Sequence, residues 1–216
     1  MEYRIIQKYK ELYSAEFDIV DSSNKVVGNI LLTGIMGSQR GSFDIRFYDG
    51  IYRMNPVDQK VAMNKTQDYI SYSMFRKPYC SFLIQGNCTE GIILNYTKEK
   101  LPYHFCLFDD MDYKLYVLGF GEKGICAPVY RNDEYVAEIH KECMIYNDLH
   151  NFHLSIFNEK TVIPSILFAC YMYVFTYYKA GVKTTKGTVK RLYTTKDREM
   201  ISKCKNPYYS DIKDME

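Results

Sequence analysis

Residues 161–178 read TVIPSILFACYMYVFTYY, an uncharged run that places hydrophobic or aromatic side chains on every side of a helix. Pro164 falls in the first turn, where its missing N–H costs no hydrogen bond, and Thr161 lies at the position of an N-cap. A helix on a protein surface would carry a polar face, which this run lacks. We therefore predict a single hydrophobic helix that is surrounded by apolar groups.

Two surroundings would suit such a helix. A helix of this length spans about 27 Å, close to the roughly 30 Å of a bilayer core, so a transmembrane helix is one interpretation. Tyr171 and Tyr173 lie in the middle of the run, however, and their hydroxyl groups need polar partners that a protein interior supplies more readily than lipid. We therefore favour a helix enclosed by the protein and keep a membrane anchor as the alternative.

Short segments of alternating hydrophobic and polar residues fill the chain before this helix, and such alternation is typical of β-strands. Residues 42–48 show it most clearly, and the Asp49-Gly50 turn that follows them predicts a hairpin. The other predicted strands cover residues 3–9, 16–21, 25–32, 51–54, 81–85, 91–96, 103–108, 113–120, 143–146 and 151–157. Residues 55–78 show no clear pattern and are left unassigned.

One hairpin pattern occurs twice in the chain. Residues 25–30 (KVVGNI) align with residues 134–139 (EYVAEI), and a polar turn precedes each of them. In both places, a strand that ends in a valine, Val20 or Val129, leads into the turn. The recurrence predicts a sheet with a quasi-repeated organisation.

Positive charge is concentrated directly after the hydrophobic helix. The whole chain has a net charge of only +2, which makes a nucleic-acid partner unlikely on bulk charge. Residues 179–205, in contrast, contain nine lysines and arginines and only two acidic residues. The candidate binding residues are Lys183, Lys186, Lys190 and Arg191. Their candidate ligands are an anionic membrane lipid, a protein partner or nucleic-acid phosphates, and a solvated segment without a ligand is the alternative.

No residue pattern in the chain indicates catalysis or a metal site. His150 and His153 are spaced so that a strand would place them on opposite faces. Residues 109–112 (DDMD) lack the glycine and the bidentate glutamate of a calcium-binding loop, and neither a GxSxG elbow nor a P-loop occurs. We therefore predict a non-enzymatic protein without a catalytic residue, a metal ion or a cofactor. An enzyme with an unrecognised pocket is the alternative.

Seven cysteines are scattered through the chain without CxxC pairs, which is typical of free thiols in a reducing compartment. The first residues carry charges within what would be the apolar core of a secretion signal. We therefore predict a cytoplasmic location, with attachment at the membrane periphery as an option.

The many strands, the repeated hairpin and the hydrophobic helix together resemble the tubby C-terminal-like superfamily, which includes tubby proteins, plant LURP-one-related proteins and phospholipid scramblases. The resemblance covers roughly residues 1–180 and is carried by residues 17–30 (FDIVDSSNKVVGNI), 135–142 (YVAEIHKE), 152–156 (FHLSI) and the helix. It implies a mainly β fold, in which a closed antiparallel barrel of about twelve strands surrounds the helix 161–178. Lipid binding, membrane association and adaptor roles are implied in the same way, without particular binding residues.

The end of the chain departs from the pattern of that superfamily, in which the helix is nearly the last element. Residues 181–216 are predicted to form a basic C-terminal extension after the barrel domain, residues 1–180. A short helix is predicted over residues 195–203, because Asn206-Pro207 follows it.

Overall fold

The computed structural model describes residues 1–34, 41–57, 81–96, 101–178 and 180–209. In chain order, the strands are β1 (Glu2–Lys10), β2 (Ser14–Asp21), β3 (Val26–Gly34), β4 (Gly41–Phe47), β5 (Gly50–Val57), β6 (Ser81–Gln85), β7 (Glu90–Tyr96), β8 (Tyr103–Phe108), β9 (Met111–Leu115), β10 (Leu118–Gly119), β11 (Ile125–Arg131), β12 (Glu134–Lys141), β13 (Met144–Tyr146), β14 (Asn151–Ile156) and β15 (Thr188–Lys190). The helical elements are a 3-10 turn (Gly121–Lys123), a second 3-10 turn (Glu159–Thr161), an α-helix (Val162–Met172), a π-helical turn (Tyr173–Tyr177) and a short helix (Arg198–Ile201). Most of the unassigned stretch, residues 58–78, lies outside the described residues.

Within the described ranges, twelve of these strands close an antiparallel barrel. Strands β1 to β9 pair in chain order, and β9 then pairs with β11, β11 with β12, and β12 with β14. The sheet closes where β14 pairs with β1, with Leu154 opposite Tyr3. Because the sheet closes on itself, its paired strands have no open edge. Every second side chain points inward and contributes to a common core. The predicted mainly β barrel is confirmed.

The predicted strand over residues 113–120 is interrupted, and this part of the prediction is wrong. Its two halves, β9 and β10, both pair with β11 and keep the same register, with Leu115 opposite Val129 and Leu118 opposite Cys126. Between them, the Tyr116 N–H donates to the Pro128 carbonyl at 3.1 Å. Pro128 has no N–H to return that hydrogen bond, so the regular ladder breaks at this point.

The central helix, from Glu159 to Tyr177, fills the barrel. Ile166, Phe168 and Tyr171 are fully buried, and the Tyr171 ring meets the Phe82 ring of the wall edge to face at a centroid distance of 5.9 Å. The structure therefore confirms the barrel-core interpretation of residues 161–178. The helix is central and not terminal, since residues 180–209 continue along the outside of the barrel.

Within the described ranges, no helix combines the length and the hydropathy that a membrane span requires.

The start of the central helix differs from the prediction in one detail. The Asn158 side chain accepts a hydrogen bond from the Lys160 N–H at 3.1 Å and so caps the first turn. The Thr161 hydroxyl, which was predicted to cap, instead donates to the Asn158 carbonyl at 2.6 Å. Three residues of 3-10 helix precede the α-helix, which moves the cap toward the N-terminus.

The two hairpins with similar sequences are β2–β3 and β11–β12. Each has a register shift near its turn, between Ile19 and Val20 in the first hairpin and between Val129 and Tyr130 in the second. The extra residue of a bulge bends the strand and increases its twist. The similarity of the two hairpins therefore extends from the sequence to the strand pairing.

Residues 195–209 lie on the outer face of the barrel. The Asp197 carboxylate accepts hydrogen bonds from two backbone N–H groups and caps the short helix Arg198–Ile201, which is shorter than the predicted residues 195–203. Met200 and Tyr209 are buried against a second apolar cluster, formed by outward side chains of the barrel wall. This contact holds the end of the C-terminal segment on the strands β10 to β12.

A histidine packed against the central helix makes the stability of the fold sensitive to acid. His104 is packed between the rings of Tyr171 and Phe175, and burial lowers its pKa from 6.5 to about 4. Between these two values the unfolded chain binds a proton at this site and the folded chain does not, so stability falls as the pH falls.

We expect His104 alone to remove about 2 kcal/mol of unfolding free energy between about pH 7 and pH 5. Urea unfolding at both pH values measures this loss. His150, whose pKa burial lowers to about 3, adds a loss of the same sign. The variant His104→Phe should therefore lose about 2 kcal/mol less than the wild type over the same interval. Equal losses in the two proteins would contradict the assignment to His104.

Candidate functional site

The C-terminal segment, residues 180–209, runs across one end of the barrel and then along its outer wall. Its first residues are held by two hydrogen bonds to the β1–β2 turn region: the Gly181 N–H donates to the Leu12 carbonyl at 2.6 Å, and the Thr184 hydroxyl donates to the Lys10 carbonyl at 2.9 Å. Its middle part, β15, pairs with β13. The segment is therefore a fixed part of the described fold, although most of its side chains are exposed.

The four cations predicted to bind a ligand do not converge on one point. Lys183 and Lys186 are exposed, and neither has an ion-pair partner among the described residues. Lys190 pairs with Glu122. The Arg191 guanidinium lies 5.9 Å from the centroid of the Tyr177 ring, at the end of the central helix. Two of the four cations are thus available to a ligand, and the other two have partners within the protein.

Exposed apolar side chains lie beside Lys183, and Lys186 follows it on the same exposed segment. Leu12 is 40% exposed, Tyr13 is 43% exposed and Val182 is 48% exposed. Leu12, Tyr13 and Lys183 line one open groove of about 690 Å³ at this end of the barrel. We call the surface formed by Leu12, Tyr13, Val182, Lys183 and Lys186 the basic-apolar face. The sequence predicted its two lysines but missed Leu12 and Tyr13, because the turn that carries them is distant in the chain.

A buried polar cluster lies under this end of the barrel, where the central helix ends. The Gln7 side chain donates to the Tyr173 hydroxyl at 3.0 Å and accepts from the His150 backbone N–H at 2.8 Å. The Lys141 Nζ lies 5.0 Å from the centroid of the Tyr177 ring, and burial lowers the pKa of Lys141 to about 8. The Gln7 hydrogen bond gives a partner to the Tyr173 hydroxyl, which the sequence analysis expected in the protein interior. Together, these contacts join the helix to β1 and β12.

A group of metal-ligand side chains lies elsewhere, on the outer wall under the end of the C-terminal segment. Donor atoms of Cys126, Glu138 and His140 lie within 4.8 Å of one another. No metal site was predicted from the sequence, because these residues come from two strands and match no spacing motif. Side chains alternate along β12, which places Glu138 and His140 on the same face of the strand. This alternation was the sequence signal that could have indicated the cluster.

His150 and His153 lie in different surroundings, but His150 precedes β14, so the strand spacing assumed for the pair does not apply to it. His150 is buried against Tyr177, with ring centroids 4.4 Å apart, whereas His153 lines a surface groove. The acidic stretch at residues 109–112 contains the β8–β9 turn, in which Asp109 and Asp110 adopt φ angles of 54° and 55°. Two consecutive residues of positive φ are typical of a tight hairpin turn.

Compared with known proteins, the chain matches no family model, no curated protein and no solved structure. The resemblance to the tubby C-terminal-like superfamily therefore rests on the sequence pattern, and a function has to be inferred from the geometry of the residues.

Proposed function

We propose that the protein is a non-enzymatic, tubby-like barrel that binds anionic membrane lipid through the basic-apolar face. The observation that carries this proposal is the groove that exposed Leu12 and Tyr13 share with Lys183, with Val182 and Lys186 exposed on the same segment as Lys183. Apolar side chains can enter the head-group region of a bilayer, while lysines beside them meet lipid phosphates. Neither contact requires a deep pocket or a catalytic group.

The magnitudes favour weak, reversible binding. Each lysine near an anionic membrane surface contributes about 1 kcal/mol, and each apolar side chain adds about 25 cal/mol for every Å² that it buries. Two lysines and three partly exposed apolar residues supply a few kcal/mol, which is in the range of peripheral attachment. Such binding weakens as salt increases, because the charges involved are exposed to solvent.

A cytoplasmic location and peripheral attachment belong to the same proposal. The cysteines that the structure describes are all free thiols, which supports a reducing compartment. The net charge of +2 gives no general attraction for nucleic acid, so we place the positive segment against lipid. A protein partner on the same face is the competing outcome of the experiment below.

Vesicle co-sedimentation tests the proposal. We expect the full chain to sediment with vesicles that contain phosphatidylserine and to stay in solution with neutral phosphatidylcholine vesicles. The double variant Lys183→Gln/Lys186→Gln should bind the anionic vesicles about 30-fold more weakly, since two contributions of about 1 kcal/mol are lost.

A matched control removes two lysines elsewhere on the barrel. The double variant Lys25→Gln/Lys160→Gln has the same net charge, and both residues are exposed in turns away from the basic-apolar face. It should bind like the wild type. Equal binding to neutral vesicles, an equal loss in both double variants, or no binding to either vesicle would overturn lipid binding by this face.

A further inference from the structure

The outer wall of the barrel carries a cluster of side chains that the lipid-binding proposal does not use. Cys126 on β11 is the cross-strand partner of His140 on β12, and Glu138 lies two residues before His140. Because side chains alternate along a strand, all three are on the same, outward side of the wall. The C-terminal segment covers them and adds Cys204, which follows the short helix.

The donor atoms of this cluster face one another at close range. The Cys126 Sγ and Cys204 Sγ atoms are 3.1 Å apart, and the His140 Nε2 atom contacts the Glu138 Oε1 atom directly. One sulfur, one ring nitrogen and one carboxylate oxygen lie within 4.8 Å of one another. Three donors thus converge on one small volume, and the Cys204 sulfur lies next to the Cys126 member of that group.

Neighbouring groups fix the orientation of these donors. The Tyr209 hydroxyl is 2.9 Å from the His140 Nδ1 atom, which leaves the Nε2 atom directed at the cluster. The Tyr135 hydroxyl donates to the other oxygen of Glu138, Oε2. The Asn206 side chain donates to Glu138 Oε1 at 2.7 Å. Tyr209 and Tyr135 lie on the far sides of the imidazole and the carboxylate, where the partners of metal ligands are typically found because they fix the ligand geometry.

The donors of this cluster are withdrawn from solvent. Glu138 is only 1% exposed, and Cys126 is fully buried. With a proton on Nε2, the imidazole donates to Glu138 and its Nδ1 accepts from the Tyr209 hydroxyl; once that proton is released, the Nε2 lone pair is open to a cation. A cation at this point would take the place of that proton and would balance the charge of the two thiolates that form when it binds.

We propose that Cys126, Glu138, His140 and Cys204 bind one Zn²⁺ ion, with Tyr135 and Tyr209 holding the carboxylate and the imidazole in place. Two thiolates and an imidazole suit the borderline-soft Zn²⁺ ion better than Mg²⁺ or Ca²⁺, which prefer oxygen ligands. Binding releases the two thiol protons to solvent while both sulfurs keep their oxidation state. Four protein ligands leave no open position, so the ion is structural.

The site would join the C-terminal segment to the barrel. Cys126, Glu138 and His140 belong to the wall, whereas Cys204 lies near the end of the segment whose beginning carries Lys183 and Lys186. Zinc would therefore fix this end of the segment on strands β11 and β12. The inference does not rest on the lipid-binding proposal, because none of its ligands belongs to the basic-apolar face.

Metal analysis of the full chain tests the inference. The protein is prepared with a reductant, incubated with ZnCl₂ and passed through a desalting column. The zinc content per chain is then measured by inductively coupled plasma mass spectrometry. We expect about one zinc ion per chain for the wild type. The same protein with Co²⁺ should show the visible bands of tetrahedral cobalt and sulfur-to-cobalt charge-transfer absorption.

Variants separate a built site from surface binding. Cys126→Ser and His140→Ala should each retain less than about a tenth of the zinc of the wild type, and Cys204→Ser should lose it more readily to a chelator. Cys88→Ser is the matched control, since Cys88 is an exposed free cysteine, and it should keep its zinc. If a variant does not fold, the wild type alone decides: removing zinc with a chelator should lower its melting temperature, and adding zinc back should restore it.

Three results would overturn the inference. The first is a reduced wild type that retains no zinc or cobalt, which would leave the Glu138–His140 contact as an ordinary ion pair. The second is zinc retained equally by Cys126→Ser and His140→Ala. The third is a Cys126–Cys204 disulfide, seen as a mass loss of about 2 Da, that persists in the reduced preparation.

Discussion

The variant Phe168→Asp should be unable to fold. Phe168 lies in the middle of the central helix, is completely buried, and belongs to the core shared by the helix and the barrel wall. Loss of a buried phenylalanine side chain costs about 3–5 kcal/mol, and an unpaired carboxylate in an apolar interior adds several kcal/mol more. The sum is as large as the whole stability of a typical domain, which is about 5–15 kcal/mol.

Circular dichroism and size-exclusion chromatography measure this outcome. The far-ultraviolet spectrum of Phe168→Asp should lose its β-sheet signal, and the protein should elute as expanded or aggregated chains. The conservative variant Phe168→Leu should fold with a smaller loss of stability. Thr176→Asp is the control, because it introduces the same charge at an exposed position of the same helix. It should cost less than about 1 kcal/mol. A folded, monomeric Phe168→Asp protein would contradict the enclosed position of the helix.

The variant Lys10→Ala should destabilise the fold by about 3 kcal/mol. Lys10 forms an ion pair with Asp148, and the side chains are only 3% and 12% exposed, respectively. Asp148 also contacts His150, which is buried beside Tyr177 at the end of the central helix. Removing the lysine leaves a poorly solvated carboxylate next to this apolar end of the core, and that desolvation dominates the loss.

Urea unfolding of four proteins measures this effect. Lys8→Ala is the matched control on the same strand, since Lys8 is 47% exposed and pairs with Glu16 and Asp18 at the surface. It should cost no more than about 1 kcal/mol. The double variant Lys10→Ala/Asp148→Asn should recover part of the loss, because it removes the uncompensated charge. Equal effects of Lys8→Ala and Lys10→Ala would show that burial does not strengthen the pair.

Much of the barrel could be predicted because strand and turn signals are local. The alternation in residues 42–48 became β4, and Asn132 and Asp133, with φ angles of 48° and 62°, form the turn of the repeated hairpin. Such residue types restrict the backbone conformation of themselves and their neighbours. They therefore favour a turn wherever they occur in a chain, without help from distant residues. The break between β9 and β10 could not be predicted in the same way, because its cause, Pro128, lies on the opposite strand.

The candidate sites depended much less on local sequence. Lys183, Lys186, Lys190 and Arg191 are one basic pattern in the sequence, yet the fold pairs Lys190 with Glu122 and places Arg191 at Tyr177. Two of the three apolar residues of the basic-apolar face, Leu12 and Tyr13, come from the β1–β2 turn. The ligands of the proposed zinc site are likewise drawn together only by strand pairing and by the packing of the C-terminal segment on the wall.

The uncharged run at residues 161–178 by itself determined that one helix must be surrounded by apolar groups, since no face of it could meet water. Only the tertiary structure decided that a closed barrel, with its inward side chains from twelve strands, provides those surroundings. Only the tertiary structure also brought Cys204 against Cys126 and put Leu12 beside Val182. The physical reason is that hydrophobic burial acts on a side chain wherever its partners lie, whereas the identity of those partners depends on which strands pair to close the barrel.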